Sequence, residues 1–364
     1  MRAIISYIFI IAGLAVLWMS TSKSAMQYIS DKRDNETWWG TYQGLNGDLV
    51  SMSYLDFVTK FRRKKDYRQN KATYDGKKNT VLYIHGDSYS RRLGDSSFAG
   101  VCQLKLIDRN HGLNYHLDST KRNILIFEIT ERYTRNYFGT LKIFDQLCDS
   151  VIKRKNIAYN TTTYAGAMQA SALPNIGIDD FFNKYINQNL QCNLFNYNFI
   201  MPMFESKAAL NYYVFNRASG DVVISQDKQF LFLKQTTVDY GTESASVPVS
   251  DEEIDQLVDN FNAIYDHYRQ NGFDEVFLSI IPNPITVLEP RGYNQLIPRI
   301  QHSPRLRMKI IDAYSMLQGK GETAFYRGDT HWNREGRQIW LDSINHIVTN
   351  IYNSNDLKHT LHAP

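Results

Sequence analysis

Thr80-Val81-Leu82-Tyr83-Ile84-His85-Gly86-Asp87-Ser88 is the stretch on which the fold turns. Its first five residues are β-branched, aliphatic or aromatic, the pattern of a short buried strand. Gly86 breaks the run, and a helix is expected to begin from Tyr89 onward. A serine between a strand end and a helix start lies at the carboxyl edge of a sheet, where open α/β sheets bind ligands. Such a helix also turns unpaired N–H groups and the positive end of its dipole toward an oxyanion. The plainer reading of Gly86-Asp87-Ser88 is an ordinary turn, with Asp87 or Ser88 capping the helix.

Far along the chain stands Asp329-Thr330-His331-Trp332-Asn333. In an extended segment residues i and i+2 share a side, so Asp329 reaches a ring nitrogen of His331. That contact selects the tautomer whose other nitrogen accepts a proton. Asn333 suits the N-cap of a helix over Arg334 to Tyr352, with Ile339, Trp340, Ile344, Ile347, Val348 and Ile351 as its core-facing stripe. Trp332 then packs as a wall beside the imidazole. An Asp-x-His pair also serves as a plain structural hydrogen bond or as half of a metal site. No third ligand at a suitable spacing accompanies it, so neither a metal nor a cofactor is called for. Ser88, His331 and Asp329 make a nucleophile, a base and an orienting acid, the minimum set for serine acyl chemistry.

These two motifs resemble the SGNH hydrolase-like proteins of the alginate O-acetylation type, also described by a DHHW motif. The likeness extends to Asn123-Ile124-Leu125-Ile126-Phe127-Glu128-Ile129-Thr130-Glu131-Arg132, a strand ending in Glu-Arg. It also takes in Ile281-Pro282-Asn283 after a strand and Tyr293-Asn294-Gln295-Leu296-Ile297-Pro298 after a loop. The resemblance implies an α/β fold, a three-layer α/β/α domain with a mainly parallel sheet. It implies Ser88 as nucleophile, His331 as base, Asp329 as orienting acid and the Ser88 backbone N–H as one oxyanion donor. Where ordinary SGNH hydrolases carry Gly-x-Asn-Asp, this chain has Glu128 to Arg132. Arg132 either replaces the asparagine as an oxyanion or substrate-binding group or pairs with Glu128. The second-block glycine is Gly94, Gly100 or Gly112, and the serine-first order is that of the broader superfamily. The implied activity is O-acetylation of a polysaccharide through an acyl-serine, with a membrane-bound O-acyltransferase as acyl donor. The alternatives are an esterase that removes acetyl groups from carbohydrate and a non-catalytic carbohydrate-binding or assembly module.

The chain's 364 residues suffice for one large α/β domain with insertions or for two small domains. A 43% hydrophobic content permits a sizeable core and argues against disorder. Net charge is only +4, and no stacking groove of interleaved basic and aromatic residues is present, which speaks against a nucleic-acid partner. Lys60, Arg62, Arg63, Lys64 and Lys65, with Lys77 and Lys78 nearby, read as a solvated loop or as a contact for anionic polysaccharide or lipid headgroups. From Ala3 to Met19 only Ser6 and Gly13 interrupt an apolar run after Arg2. Roughly 17 residues is at the lower limit for a spanning helix and longer than the usual 7–15-residue signal core. No clean cleavage site follows, so an uncleaved single-pass anchor in the inner membrane is expected, with the large domain in the periplasm. Cys102, Cys148 and Cys192 have no metal or redox spacing, and three buried thiols are expected.

Residues 1–22 are thus the anchor, 23–35 a charged linker with Asp31-Lys32-Arg33-Asp34, and 36–364 the α/β domain. Trp38-Trp39-Gly40 leads in, and Asp48 to Phe61 is expected to form a helix beneath the sheet. An insertion over about 156–248 is expected to hold a helix around Ser206 to Phe215 and a β segment at Phe230 to Leu233. The α/β pattern then resumes. Ser250 with Glu253 makes a capping box, Gly272 ends that helix, Val276 to Ile281 is a strand, and Met308 to Ile311 is a further one.

Overall fold

The computed structural model describes residues 2–22, 24–26, 47–62, 71–74, 76, 78–91, 93–108, 117–139, 186–195, 197, 199–218, 220–237 and 241–360, with only the backbone for 351–360. Outside that set fall the linker Asp31 to Asp34, Trp38-Trp39-Gly40, Arg63, Lys64, Lys65, Lys77, Gly112, Cys148 and the side chains of Cys192 and Ile351. Two compact units emerge. One comprises Met1–Leu45, Ser53–Phe57 and Tyr159–Ser219; the other comprises Asn46–Met52, Val58–Ala158 and Gly220–Pro364. Residues 159–219 of the expected insertion fall in the first unit, whereas 220–248 belong with the sheet.

The second unit is an α/β structure around five parallel strands. These are β1 (Thr80–Gly86), β2 (Val101–Asp108), β3 (Arg122–Thr130), and two further strands, Glu275–Ile281 and Lys309–Ile310. Between β3 and these last two come a helix α3 (Glu131–Phe138) and a small antiparallel pair, β4 (Val222–Ile224) with β5 (Leu231–Leu233). The later parallel strands are therefore β6 and β7, and the sheet order is β2-β1-β3-β6-β7. From β1 the chain moves outward to β2 and then returns across β1 to β3. This reversal opens a crevice at the carboxyl ends of β1 and β3, the place where doubly wound sheets take ligands.

Both faces of the sheet are buried, which is why its strands read as near-continuous apolar runs rather than alternating ones. Val81, Tyr83, Leu125, Phe127, Val276 and Leu278 meet Leu257, Phe261 and Ile264 of helix α6 (Asp251–Gln270) on one face. Leu82, Ile84, Ile124, Ile126 and Phe277 meet Trp340, Leu341, Ile344 and Val348 of helix α10 (Arg334–Thr360) on the other. Trp340 is fully buried and its indole N–H donates to Ser279 Oγ at 2.9 Å, so its one polar group is satisfied.

Helix ends follow the local chemistry. Ser250 Oγ accepts from the Glu253 N–H at 3.1 Å, but the Glu253 carboxylate takes the Arg135 guanidinium instead of closing a reciprocal box. Gly272, at φ +99°, carries the chain out of α6. Asn333 Oδ1 accepts from the Glu335 and Gly336 N–H groups and so caps α10.

Four expectations need correction. Among the described residues no helix follows Ser88 before β2: residues 88–91 are a turn, and a single 3-10 turn stands at Asp95–Ser97. Ser90, Gly94, Asp95, Ser96 and Ser97 are turn formers, and the Asp87 carboxylate binds the backbone there. Helix α2 spans only Asp48–Ser53, because Tyr54 adopts a left-handed φ of +55°. Strand β2 has no counterpart among the expected strands; it is the half-exposed edge strand, whose pattern is weakened by Gln103 and Lys105. Cys102 sits on that edge and is exposed rather than buried.

In the first unit, α1 (Arg2–Thr21) is exposed on all sides over residues 4–15 and contains an 18-residue stretch, Ile4–Thr21, long and apolar enough to cross a membrane. Its far end is buried at Ser20 and Ser22, where Asn193 of α4 (Ile186–Phe195) donates to Ser20 Oγ at 2.9 Å. Helix α5 (Met201–Phe215) contains the expected helix and extends it by a turn and more toward its N-terminus.

Candidate active site

Ser88 follows β1 by two residues and is exposed, while Asp87 and Tyr89 on either side of it are buried. The turn that presents it is tied down at each neighbour. The Asp87 N–H donates to Glu128 Oε2 at 3.0 Å. Asp87 Oδ1 accepts from the Tyr89 N–H at 3.0 Å, and Asp87 Oδ2 accepts from the Thr130 hydroxyl. A side chain at Gly86 would displace Glu128 Oε2 and Ser90 Oγ, so glycine here keeps the Glu128 carboxylate against the turn. The Ser88 N–H has no protein acceptor among the described residues.

The second segment reaches the same point from a tight loop closed by a bridge between Phe325 and Trp332. His331 Nε2 lies 2.7 Å from Ser88 Oγ, and His331 Nδ1 lies 2.6 Å from Asp329 Oδ1. Asp329 is buried, and its Oδ1 also accepts the His331 backbone N–H at 3.0 Å. The i, i+2 spacing thus brings carboxylate and ring together as expected, and the structure unites Ser88, His331 and Asp329 in one hydrogen-bonded series.

Sequence reasoning missed Asp48, which lies 281 positions before Asp329. Its N–H donates to Asp329 Oδ2 at 3.0 Å, its Oδ1 accepts the Thr330 N–H at 2.8 Å, and its Oδ2 accepts the Thr330 hydroxyl at 2.5 Å. Asp48 Oδ2 is also 3.6 Å from His331 Nδ1. A side chain at Gly47 would strike the Gly328 carbonyl, and one at Gly328 would strike Val50 and the Phe61 carbonyl. Only a glycine pair lets the two chain segments approach so closely. No local pattern signals a partner at that separation.

Asp48 also supplies the third ligand that the sequence spacing lacks: Asp48, Asp329 and His331 offer ligand atoms within 4.8 Å of one another. All four carboxylate oxygens already accept protein N–H or O–H groups, and Nδ1 faces Asp329 Oδ1. A cation taking Nδ1 would have to replace the proton that Nδ1 shares with Asp329 Oδ1, so the arrangement fits an oriented imidazole better.

The wall beside the imidazole is Tyr89, not Trp332. The Tyr89 ring lies 4.6 Å from the His331 ring, and its hydroxyl donates to the Thr330 carbonyl at 2.5 Å. Burial pushes the Tyr89 phenol well above its ordinary range, so it stays protonated and keeps that bond. Trp332 stands edge-on to Tyr89, 5.0 Å away, and stacks obliquely on Trp340.

At the end of β3, Glu128 and Arg132 do not pair. Glu128 accepts from Asp87, and burial, reinforced by the Asp87 carboxylate, raises its pKa well above the usual carboxyl value. Arg132 is buried at 7% exposure, with its guanidinium 4.9 Å from the Tyr133 ring centre. Its Nε and Nη1 have no hydrogen-bond partner among the described residues. Burial works against its charge, but the polar phenols of Tyr89 and Tyr133 and the Asp87 carboxylate more than offset it, and the guanidinium stays charged. Glu131 plays a separate, structural part. Its Oε2 accepts from the Asn283 N–H and the Thr286 hydroxyl, tying α3 to the segment after β6. Its burial also raises its pKa.

No protein-family model, curated protein or solved structure matches this chain.

Proposed function

We propose that the protein is a membrane-tethered serine acyltransferase of the SGNH type that O-acetylates a polysaccharide outside the cytoplasm. The reading rests above all on the 2.7 Å contact between Ser88 Oγ and His331 Nε2, with Asp329 behind the ring. The parallel sheet order and the helices on both its faces support the SGNH reading. The long apolar α1 supports the tether.

In this mechanism His331 Nε2 takes the Ser88 proton as Oγ bonds to the acetyl carbonyl carbon. The negative oxygen of the tetrahedral adduct faces the unpaired Ser88 N–H, with Arg132 as the second donor. The adduct collapses by expelling the donor's oxygen, which leaves with the imidazolium proton. A sugar hydroxyl then attacks the acetyl-serine, passing its proton to His331, and Ser88 is released with that proton. Asp329 holds the tautomer and stabilises the transient imidazolium. A membrane-bound O-acyltransferase supplies the acetyl group.

Ser88 is exposed, so water also has access to the acyl-serine; this favours carbohydrate esterase activity as the second reading. Incubating the full chain with an activated acetyl ester, then mapping acetylation by mass spectrometry, tests both. Acetyl-Ser88 is expected in the wild type and none at this position in Ser88→Ala. With an oligosaccharide acceptor added, a transferase yields acetylated sugar, whereas an esterase yields only free acetate. Absence of both adduct and turnover in a folded protein leaves a non-catalytic binding module.

A further inference from the structure

We propose that α5, continued by the end of α4, is an interfacial membrane-binding surface that lies flat in the headgroup boundary of the bilayer entered by α1. The proposal rests on reading α1 as the membrane anchor. Helix α5 is apolar on both sides. One side is inside the unit: Met201 and Ala208 are buried, and the Phe204 ring stacks on Tyr54 at 4.9 Å. The other side carries Met203, Leu210 and Val214 at i, i+7 and i+11, a single helical stripe flanked by Tyr213. These four are 75%, 57%, 62% and 71% exposed. Ser206 and Lys207 interrupt this face between Met203 and Leu210, but four large apolar side chains in water on one short helix are still uncommon for a soluble surface.

What covers the strip follows from its neighbours. Asn193 of α4 bonds to Ser20 at the end of the apolar α1, so α4 sits where that helix leaves the hydrocarbon. The next two residues, Leu194 and Phe195, are exposed, and the Phe195 ring lies 6.5 Å from Phe204 of α5. Exposed apolar side chains thus stand at Trp18, 39% exposed near the end of α1, at Leu194 and Phe195 of α4 and along α5. At 15 residues α5 is about 22 Å long, too short to cross a hydrocarbon core of about 30 Å. Lys207 on its exposed side and Arg217 just past its end suit anionic headgroups. A helix lying in the boundary plane, rather than crossing it, fits both facts.

The test uses the full chain in vesicles of zwitterionic phospholipid with an anionic fraction and a diazirine-bearing phospholipid, with photo-adducts mapped by mass spectrometry. Adducts are expected in α1 and along Met203 to Phe215. The double variant Leu210→Glu, Val214→Glu is expected to lower the α5 adducts at least about fivefold while vesicle flotation and α1 adducts persist. Flotation with adducts in α1 alone overturns the interfacial surface and leaves the anchor standing. Failure to float, with no α1 adducts, overturns the anchor. In a parallel sample whose leucines are replaced by the diazirine-bearing photo-leucine, cross-links joining α5 of two copies, with no lipid adducts there, assign the strip to self-association and also overturn the proposal. Both substituted residues are exposed, and an unchanged circular dichroism melt checks that the fold is kept.

Discussion

The two polar clusters around the Ser88 turn are built on different terms. Around His331 each oxygen of Asp48 and Asp329 accepts at least one N–H or O–H. Just past β3, Arg132 is buried, unlike the part-exposed Asp48 and His331, yet its Nε and Nη1 have no hydrogen-bond partner among the described residues. A satisfied cluster fixes geometry, since each bond removes a freedom from the ring. Tyr89, Tyr133 and Asp87 more than offset the desolvation of the Arg132 cation, but they leave its Nε and Nη1 donors without acceptors. The contrast teaches that position is settled on the His331 side, whereas on the Arg132 side donors are left over, which the proposed mechanism assigns to the oxyanion.

The sharpest way to break this contrast is Asp329→Asn. It keeps the shape but favours the wrong imidazole tautomer, and kcat on an activated acetyl ester is expected to fall about 10⁴-fold. A loss of tenfold or less would show that the ring does not depend on its carboxylate. Next comes Arg132→Met. If the guanidinium serves the oxyanion, kcat falls about 10²- to 10³-fold in a variant that still folds. Full activity with a lowered Tm would leave Arg132 a structural part only.

A smaller effect is expected for Asp48→Asn, which retains one carbonyl acceptor for Thr330 but loses the other. We expect about a tenfold fall in kcat, equivalent to about 1.4 kcal/mol, with KM unchanged and a displaced pH–rate profile. A change in Tm alone, with kcat intact, would assign Asp48 to structure only.

The smallest effect concerns the proton held beneath the turn. Native Glu128 has its pKa raised above the ordinary 4.5 by burial and by Asp87, so the folded chain binds a proton that the unfolded chain has released. Its stabilising contribution is complete below about 4.5 and is lost as pH rises through the native value. Glu128→Gln keeps an acceptor for the Asp87 N–H and removes that loss. Its Tm is expected to exceed the wild type's by roughly 2–4 °C at about pH 8 and to match it at about pH 4. Parallel melting curves across that range would show the carboxyl to be ionised in both states.

Much of the scaffold is legible because its signals are local. β1, β3 and β6 are unbroken apolar runs, Asp329 and His331 are two residues apart, and Ser250 and Asn333 announce helix starts through their own side chains. The turn after Ser88 misleads because Tyr89 reads as a helix starter. Its ring instead serves tertiary packing, against His331 and Trp332. Asp48 is illegible for a different reason. Its value comes from a Gly47–Gly328 approach that exists only once the sheet has formed. Arg132 is legible as an alternative, and the structure removes one branch, since Glu128 is engaged elsewhere.

The distance along the chain between Ser88 and His331, 243 residues, has a consequence during synthesis. At about 5–20 residues per second, Ser88 leaves the ribosome on the order of ten to fifty seconds before His331. Throughout that interval the hydroxyl is an ordinary alcohol. On the proposed mechanism, the topology therefore delays any reactivity toward acyl donors until translation has delivered the imidazole.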